Sequence, residues 1–285
     1  MIKKYHKPLV TIKRACQLCK VSRSGYYAWL KRPVKTEADI LGHKVKSIFK
    51  KSKNTYGTRR IKKELANKGI VLSRKKISRL MNKHNLVAKA RRKTRITTDS
   101  KHNLPVAPNL LNQQFDVDAP NKIWVGDITY LATTEGWLYL AIVIDLYSRK
   151  VVGWSISNRM TKALVLSALM MAIIARKPDK GLIFHSDRGS QYCSYAYQDL
   201  LQKHGFRASM SRKGECLDNA VAESFFHSLK VEAIYGNPMK SKVRITQEVR
   251  EYIEVFYNHQ RLHSTLGYVS PCEYEKLNST FSMSA

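Results

Sequence analysis

The chain has 285 residues, of which 44% are hydrophobic and 25% charged, a balance typical of globular proteins and not of disordered ones. The formal net charge of +30 is unevenly placed, because residues 1–115 hold 31 Lys and Arg against 4 Asp and Glu, whereas residues 116–285 hold 20 against 17. The first part therefore has the charge of a polyanion-binding region, and the second part has the balance of an enzyme core.

The sequence also disfavours a membrane protein or a secreted protein. The most apolar run, residues 164–175, is too short to cross a bilayer, and the first residues lack the apolar core of a signal peptide. Five scattered cysteines are an odd number, which favours a reducing, cytoplasmic setting over a disulfide framework. Cys16 and Cys19 form one CxxC without a second pair, so we interpret them as small residues of a helix and not as zinc ligands.

The basic part of the chain is predicted to be helical. Residues 9–31 have the pattern of a helix-turn-helix, with Ser22 as the N-cap of the second helix. A second helical segment covers residues 36–90, where Gly69 ends one helix and Ser73 caps the next. We assign residues 1–90 to a DNA-binding region of helix-turn-helix type.

The helix after Ser73 carries cations on one side and apolar residues on the other, which suits a helix that lies on DNA. An ordinary basic surface helix would show the same pattern, so that alternative stays open. The residues predicted to contact DNA here are Arg59, Arg60, Arg74, Lys75, Lys76 and Arg79.

Residues 91–121 are polar and contain prolines, so we interpret them as a linker. After them, β-branched and aromatic runs alternate with helical patterns. Strands are predicted at 122–131, 137–145, 150–157, 181–187 and 205–210, and helices at 161–176, 194–204 and about 218–235. This order indicates an α/β core at 122–240, a mixed five-stranded RNase-H-like sheet flanked by helices, followed by a helical C-terminal extension at 241–285.

Three acidic residues stand in distinctive positions of that core. Asp127 lies inside the first strand between apolar neighbours, where Asp is disfavoured, Asp187 ends the fourth strand, and Glu223 lies in the helix after the fifth. For Asp187 a turn role is a fair alternative, and Asp145 is interpreted as a turn or support residue. Carboxylates that meet at one end of a sheet can hold hard cations such as Mg²⁺, and two ions can act together on a phosphodiester.

The helical register places Asn219, Glu223, His227 and Lys230 on one polar stripe. Lys230 and Asn219 are therefore predicted to contact DNA beside Glu223. His185 and His227 are close enough in this scheme to assist proton transfer, although hydrogen bonding to the backbone or to DNA is the favoured role.

The chain resembles the frame-B transposase of a bacterial insertion sequence, in the DDE/retroviral-integrase superfamily. The resemblance covers nearly the whole chain and is carried by the segments around Asp127 and Asp187, by 218–226, by the tail 257–271 and by the basic segment 56–61. It implies that Asp127, Asp187 and Glu223 are the catalytic, metal-binding triad, with two Mg²⁺ or Mn²⁺ ions. The implied activity is phosphodiester cleavage at the ends of the element, followed by transfer of the freed 3′-hydroxyl to a second DNA site.

The resemblance also implies the partners. These are double-stranded DNA, further copies of the chain and the product of an upstream frame A, free or fused by frameshifting, in the bacterial cytoplasm on the nucleoid and without a membrane. Arg261 in the tail is predicted to contact DNA. For Tyr257, Asn258, Arg261 and His263, packing of the C-terminal helix against the core is an equal alternative.

Two other functions stay open. A plain RNase-H-like nuclease would cut without joining, whereas a retroviral integrase would be expected to carry an N-terminal His-His-Cys-Cys zinc module that this sequence lacks. A DNA-binding regulator would use only the helices of 1–90, so Glu223→Gln would leave its function intact. Serine and tyrosine recombinases are disfavoured because their covalent nucleophile would leave the acidic triad idle.

Overall fold

In the computed structural model, the structure describes residues 11–31, 36–89, 104–212, 215–235 and 238–282. The first ten residues and much of the predicted linker, at 90–103, lie outside the described residues. The basic region forms the helices α1 (Ile12–Leu18), α2 (Arg23–Leu30), α3 (Thr36–Lys51), α4 (Thr58–Ala66) and α5 (Arg74–Lys83).

The starts and ends of these helices follow from their sequences. The hydroxyl of Ser22 accepts a hydrogen bond from the Gly25 N–H at the start of α2, and the hydroxyl of Ser73 does the same for Lys76 at the start of α5. Gly69 has a φ of 73°, a conformation that glycine adopts at low cost, and the chain turns there between α4 and α5. Both predicted N-caps are confirmed.

The core contains strands β1 (Ile123–Thr133), β2 (Gly136–Asp145), β3 (Val151–Ser157), β4 (Ile183–Ser186) and β5 (Arg207–Met210). They form one sheet in the order β3-β2-β1-β4-β5. The first three strands are antiparallel neighbours, whereas β4 runs parallel to β1 and β5 runs parallel to β4. The predicted mixed five-stranded RNase-H-like sheet is confirmed.

Helices cover both faces of this sheet. On one face lie α6 (Lys162–Arg176), the short α7 (Ser190–Cys193) and α8 (Tyr195–Lys203). A Cβ atom on Gly153 of β3 would collide with the Ala168 carbonyl oxygen of α6, so glycine lets this helix pack directly on the strand.

On the other face lies the helix that carries Glu223. A 3₁₀ turn at Cys216–Asn219 leads into α9 (Ala220–Leu229), which continues as a π-helical segment at Lys230–Ile234. The C-terminal extension consists of α10 (Lys242–Glu251), a second π-helical segment at Tyr252–Tyr257, a 3₁₀ turn at Ser264–Leu266 and α11 (Pro271–Ser282).

The basic helices α3 to α5 share one hydrophobic cluster with this second face. Val45, Ile61 and Ile77 belong to the same buried cluster as Val125 of β1 and Phe225 of α9. The Tyr56 hydroxyl, just before α4, accepts a hydrogen bond from the Leu262 N–H at 2.8 Å. The basic helices are therefore packed against the core and the C-terminal extension, and residues of α4 can take part in the chemistry of the core.

None of the described helices is both long enough and apolar enough to cross a membrane.

Candidate active site

Asp127 lies in the middle of β1, the central strand of the sheet, where it pairs with Ile142 of β2. Its carboxylate accepts a hydrogen bond from the Ile128 N–H at 2.8 Å. Gly126 precedes it, and a Cβ atom there would lie 2.6 Å from the Phe184 ring, so the strand has no room for a larger residue at that position. Asp127 is thus held by a rigid part of the fold.

Asp187 is brought beside Asp127 by the pairing of β1 with β4. Val125 pairs in parallel with His185, so two residues further along each strand the chain reaches Asp127 and Asp187. The Asp187 carboxylate accepts a hydrogen bond from the Gly189 N–H at 2.9 Å, which is a turn of the Asx type. The turn and the catalytic interpretation of Asp187 are therefore compatible, because the turn orients the carboxylate.

Glu223 lies in the first turn of α9, which packs on β1. The helix is anchored at its start, because Asn219 donates a hydrogen bond to the Gly126 carbonyl at 3.4 Å and Asp218 accepts hydrogen bonds from Arg212 and Asn109. The side chain of Glu223 is exposed. We call Asp127, Asp187 and Glu223 the acidic site.

Electrostatics connects the three carboxylates. Burial raises the pKa of Asp127 well above its ordinary value, and the negative charges of Asp187 and Glu223 raise it further, while Lys230 acts in the opposite direction. Although Glu223 is exposed as a residue, partial desolvation of its carboxyl group raises its pKa, and burial lowers the pKa of Lys230. Within the described part of the chain, no three His, Cys, Asp or Glu side chains are arranged closely enough to hold a metal ion together.

The donor set nevertheless fits a hard divalent cation. Its side chains offer carboxylate oxygens, the ligands that Mg²⁺ prefers. Burial and then the charges of Asp187 and Glu223 disfavour the ionised form of Asp127, and a bound cation would favour that form.

Comparisons with known proteins agree with this geometry. Models described as "Integrase core domain" match residues 117–216 and 223–278, and one described as "HTH-like domain" matches 36–94. The transposase InsF for insertion sequence IS3A of Escherichia coli is 46% identical over 96% of this chain and 96% of its own. A 31 kDa protein of insertion element IS600 of Shigella sonnei is 47% identical over 92% of this chain and 97% of its own.

The chain belongs to the family of insertion-sequence transposases with an integrase core. The prediction of a DNA transposase of the DDE/retroviral-integrase superfamily is therefore confirmed. Membership of this family suggests that the transposase works with a divalent metal ion. Among solved structures, a simian T-cell lymphotropic virus intasome is similar with a TM-score of 0.47 and 16% identity, over 75% of this chain and 69% of its own.

The family match changes the interpretation of the N-terminal region of the transposase. The sequence predicts a helix-turn-helix at 9–31, and α1 and α2 do form there, but the HTH-like match covers α3 to α5 instead. On α5 the cations Arg74, Lys75, Lys76 and Arg79 are exposed, whereas Ile77, Leu80 and Met81 are buried. The two faces predicted for this helix are thus present.

Arg59 is exposed on α4, as a DNA contact requires, but the neighbouring Arg60 points to the core. The Arg60 guanidinium lies over the Tyr56 ring, 5.4 Å from its centroid, and 4.0 Å from the Glu232 carboxylate. Arg60 is half-buried, so it faces a partly enclosed space and not the open surface of α4.

Two residues predicted to contact DNA are buried, which corrects that surface role. Asn219 is 5% exposed, and its side-chain amide donates a hydrogen bond to the Gly126 carbonyl beneath α9. Arg261 is also 5% exposed, because its guanidinium makes two hydrogen bonds of 2.8 Å to Glu232 and a third to Ser228. A polar stripe on a helix and a conspicuous arginine in a tail do not by themselves show which groups reach solvent.

Glu232 was not anticipated from the sequence. It lies in the π-helical segment after α9 and accepts hydrogen bonds from Arg261 and from the Tyr252 hydroxyl at 2.7 Å. We call Glu232, Arg261, Tyr252 and Arg60 the Glu232 network. A usable signal was present, because a Glu two residues beyond the polar stripe falls on the apolar side of the helix and needs a partner there.

Asn258, His185 and Asp145 make hydrogen bonds within the fold. Asn258 accepts a hydrogen bond from the Val151 N–H and donates one to the Val151 carbonyl, both at 3.0 Å, which fixes the tail to β3. His185 is fully buried between the Ser209 and Ser211 hydroxyls, and burial lowers its pKa to about 4. Asp145 supports a turn, where it accepts hydrogen bonds from Asn121 and Arg176, as interpreted from the sequence.

Proposed function

We propose that the transposase cuts a phosphodiester at each end of its element and joins the freed 3′-hydroxyl to a second DNA site, with Asp127, Asp187 and Glu223 as catalytic residues. The observation that carries this proposal is the parallel pairing of β1 with β4, which brings Asp127 on β1 beside Asp187 at the end of β4. The negative charge of Glu223 also raises the pKa of Asp127. In the first step water attacks phosphorus and the bond to the 3′-oxygen breaks. In the second step that 3′-oxygen attacks a new phosphorus and displaces another 3′-oxygen.

The three carboxylates would hold Mg²⁺ or Mn²⁺, and we propose two ions. Bound there, the metal would lower the pKa of the attacking hydroxyl and neutralise charge on the leaving oxygen. The chain itself does the positioning, because the sheet fixes Asp127, the turn after β4 orients Asp187 and the anchored start of α9 places Glu223. The charge of Asp127 acts on Lys230, which supports a position of Lys230 near the site, and we propose that Lys230 holds a DNA phosphate there.

DNA is held, in this proposal, by the exposed cations of α4 and α5, namely Arg59, Arg74, Lys75, Lys76 and Arg79. Two ends must be brought together, so we propose that the transposase acts as a multimer of its own chain. We also propose that an upstream frame-A product joins it, in the cytoplasm on the nucleoid.

The test is an excision assay in cells that supplies an element with its native ends and the full chain, with and without the upstream frame. We expect joined ends with the wild type and none with Glu223→Gln at equal protein level. Glu254→Gln is the matched control, because Glu254 pairs with Arg250 on the surface of the C-terminal extension. Equal products from wild type and Glu223→Gln would remove Glu223 from the mechanism, and cut ends without joined ends would indicate a nuclease.

A further inference from the structure

A cleft of about 420 Å³ opens beside the catalytic helix, and the proposed cutting and joining do not account for it. Five separate parts of the chain line it. They are Arg60 from α4, three residues before the sheet (Gln113, Phe115 and Asp116), Arg149 from the turn after β2, one side of α9 with Ser224 and Ser228, and part of the tail between 257 and 265. We call it the cationic cleft. Its walls bring the basic helices, the core and the C-terminal extension to one place.

Arginines dominate its charge. Arg60, Arg149 and Arg261 all line the cleft. The buried carboxylate of Glu232 is engaged by the two hydrogen bonds of Arg261, and that of Asp145, which acts on Arg149 from outside the cleft, is engaged by Arg176. Asp116 also lines the cleft but is exposed to solvent, which weakens its attraction to the arginines. The cleft therefore keeps a surplus of positive charge in a partly enclosed space.

Arg149 has a donor left over. It is 8% exposed, and its Nη2 donates to the Phe115 carbonyl at 2.9 Å, but its Nη1 has no hydrogen-bond partner in the part of the chain that the structure describes. A buried cation with an unused donor is costly. The Nη1 atom is itself buried, so a negative charge in the cleft would offset the electrostatic part of that cost.

His263 lies in the positive potential of the same three arginines. Burial lowers its pKa to about 3, and the charges of Arg261, Arg149 and Arg60 act in the same direction. The neutral ring is paired through Nδ1 with the Thr265 hydroxyl at 2.8 Å. The histidine stays uncharged, so the cations of the cleft are the arginines.

The position of the cleft suggests which anion belongs there. Ser224 follows Glu223 directly in α9, and Ser228 lies one turn further along the same helix. The cleft therefore lies along the same helix as Glu223, and a DNA strand carries one negative charge for about every 3.4 Å of its axis. Arginine forks suit phosphate oxygens, and the partly exposed ring of Phe115 offers a surface for a sugar or base.

We propose that the cationic cleft binds one DNA phosphodiester of the strand whose scissile bond lies at Glu223. This inference rests on the proposed function, because it assumes that a strand is placed at Glu223. It assigns Arg149 and Arg60 to substrate positioning, and it leaves Arg261 as the residue that holds Glu232 and shapes the cleft.

The test is the salt dependence of DNA binding by the full chain, measured by fluorescence anisotropy with a 40-base-pair duplex in EDTA, so that no metal-dependent chemistry occurs. Each phosphate contact adds about 0.9 to the slope of log affinity against log salt. We expect Arg149→Gln to lower the slope by about 0.9 relative to wild type. Arg250→Gln, which removes an exposed arginine paired with Glu254 on the C-terminal extension, is expected to leave the slope unchanged.

A second variant keeps the proposal falsifiable if Arg149→Gln fails to fold. Ser224→Phe adds a ring at the exposed wall of the cleft without a change of charge, and Gln202→Phe on the exposed surface of α8 is its matched control. We expect Ser224→Phe to lower the slope by about as much as Arg149→Gln, and Gln202→Phe to have no effect. An unchanged slope in a folded Ser224→Phe protein would overturn the proposal.

Inorganic phosphate separates a DNA site from a site for a small anion. If phosphate raised the unfolding temperature of wild type but not of Ser224→Phe, while both bound DNA with the same slope, the ligand would be a free anion and the proposal would be overturned. The assay is also independent of the catalytic claim, because binding in EDTA needs no intact acidic site. If Glu223→Gln still joined DNA ends, the proposed function would fail but the salt slopes would not change. If the slopes of the cleft variants were unchanged, the cleft proposal would fail but the joining result would stand.

Discussion

The acidic site and the Glu232 network each take one carboxylate, Glu223 or Glu232, from the same continuous helical stretch, but their surroundings shift carboxyl pKa values in opposite directions. Burial raises the pKa of Asp127, and its carboxylate neighbours raise it further. Burial would raise the pKa of Glu232 as well, but Arg261 and Tyr252 hold it below its ordinary value. Glu223 and Glu232 are nine residues apart, so the difference lies in the side chains that surround them and not in the element that carries them.

This difference separates the proposed catalytic site from a cluster that is buried in the fold. The charged form of a carboxylate is disfavoured by burial and by like charges until a cation binds, whereas a buried carboxylate paired with an arginine is costly to separate from its partner. The first two substitutions below each affect one of the two clusters, and the next two affect their surroundings.

The largest effect is expected on activity at the acidic site. Asp187→Asn keeps the shape of the turn after β4 but removes a charge, so joining of DNA ends should fall by at least about 10³-fold. In EDTA its stability should rise, because one of the negative charges that act on Asp127 is removed. A strand-transfer assay with end-labelled DNA checks the activity, with Asp199→Asn on the exposed surface of α8 as the control. Full activity in Asp187→Asn would place this residue in the turn alone.

The largest effect on stability is expected in the Glu232 network. Glu232→Gln leaves the Arg261 guanidinium buried without a counter-charge, so the free energy of unfolding should fall by about 3–5 kcal/mol. Glu254→Gln removes an exposed ion pair and should cost only about 0.3–0.5 kcal/mol. Chemical denaturation of both variants measures the difference. Similar losses for the two would mean that the buried pair contributes no more than a surface pair.

A smaller loss is expected where the tail meets the sheet. Asn258→Ala removes both hydrogen bonds to Val151 and leaves two buried backbone groups unpaired, so stability should fall by about 1–3 kcal/mol. Asn82→Ala, at an exposed position of α5, should be close to neutral. The midpoints of denaturant unfolding measure this difference. Equal midpoints for the two variants would contradict a stabilising role of the Asn258 hydrogen bonds.

The pH dependence of stability tests the positive potential beside the Glu232 network. The pKa of His263 is about 3 in the folded protein and 6.5 ordinarily, so the unfolded chain binds the proton first. The stability from a neutral His263 is present above pH 6.5 and is lost as the pH falls toward 3. The unfolding temperature of His263→Gln should therefore fall less steeply than that of wild type between pH 6.5 and 4. If the unfolding temperatures of both proteins fell equally steeply, His263 would not be held neutral in the folded protein. His259→Gln is the control, because His259 is exposed.

Much of the acidic site could be predicted from the sequence because its signals are local. An Asp between apolar strand residues is out of place, and the order of strands and helices specifies which chain ends meet at one edge of the sheet. The pairing of β1 with β4 then aligned Asp127 with Asp187. The caps at Ser22 and Ser73 were predictable for the same reason, since each involves only three or four residues.

The surroundings of that site depend on contacts between distant parts of the chain. The burial of Arg261 arises from its partner 29 residues away, and the cleft requires Arg60 from a helix that precedes the sheet. The sequence predicts a single helix up to about residue 235, whereas the structure changes to a π-helix at Lys230 and so alters the phase of the residues after it. Local patterns do not report such packing.

The most direct test of the central claim is the thermal unfolding of wild type and Asp127→Asn at pH 8, each in EDTA and in Mg²⁺. We expect Asp127→Asn to have a higher unfolding temperature than wild type in EDTA, because the variant lacks a carboxylate whose charged form is disfavoured by burial and by its acidic neighbours. We also expect Mg²⁺ to raise the unfolding temperature of wild type but not of the variant. A variant that is less stable than wild type in EDTA, or that responds equally to Mg²⁺, would contradict the account.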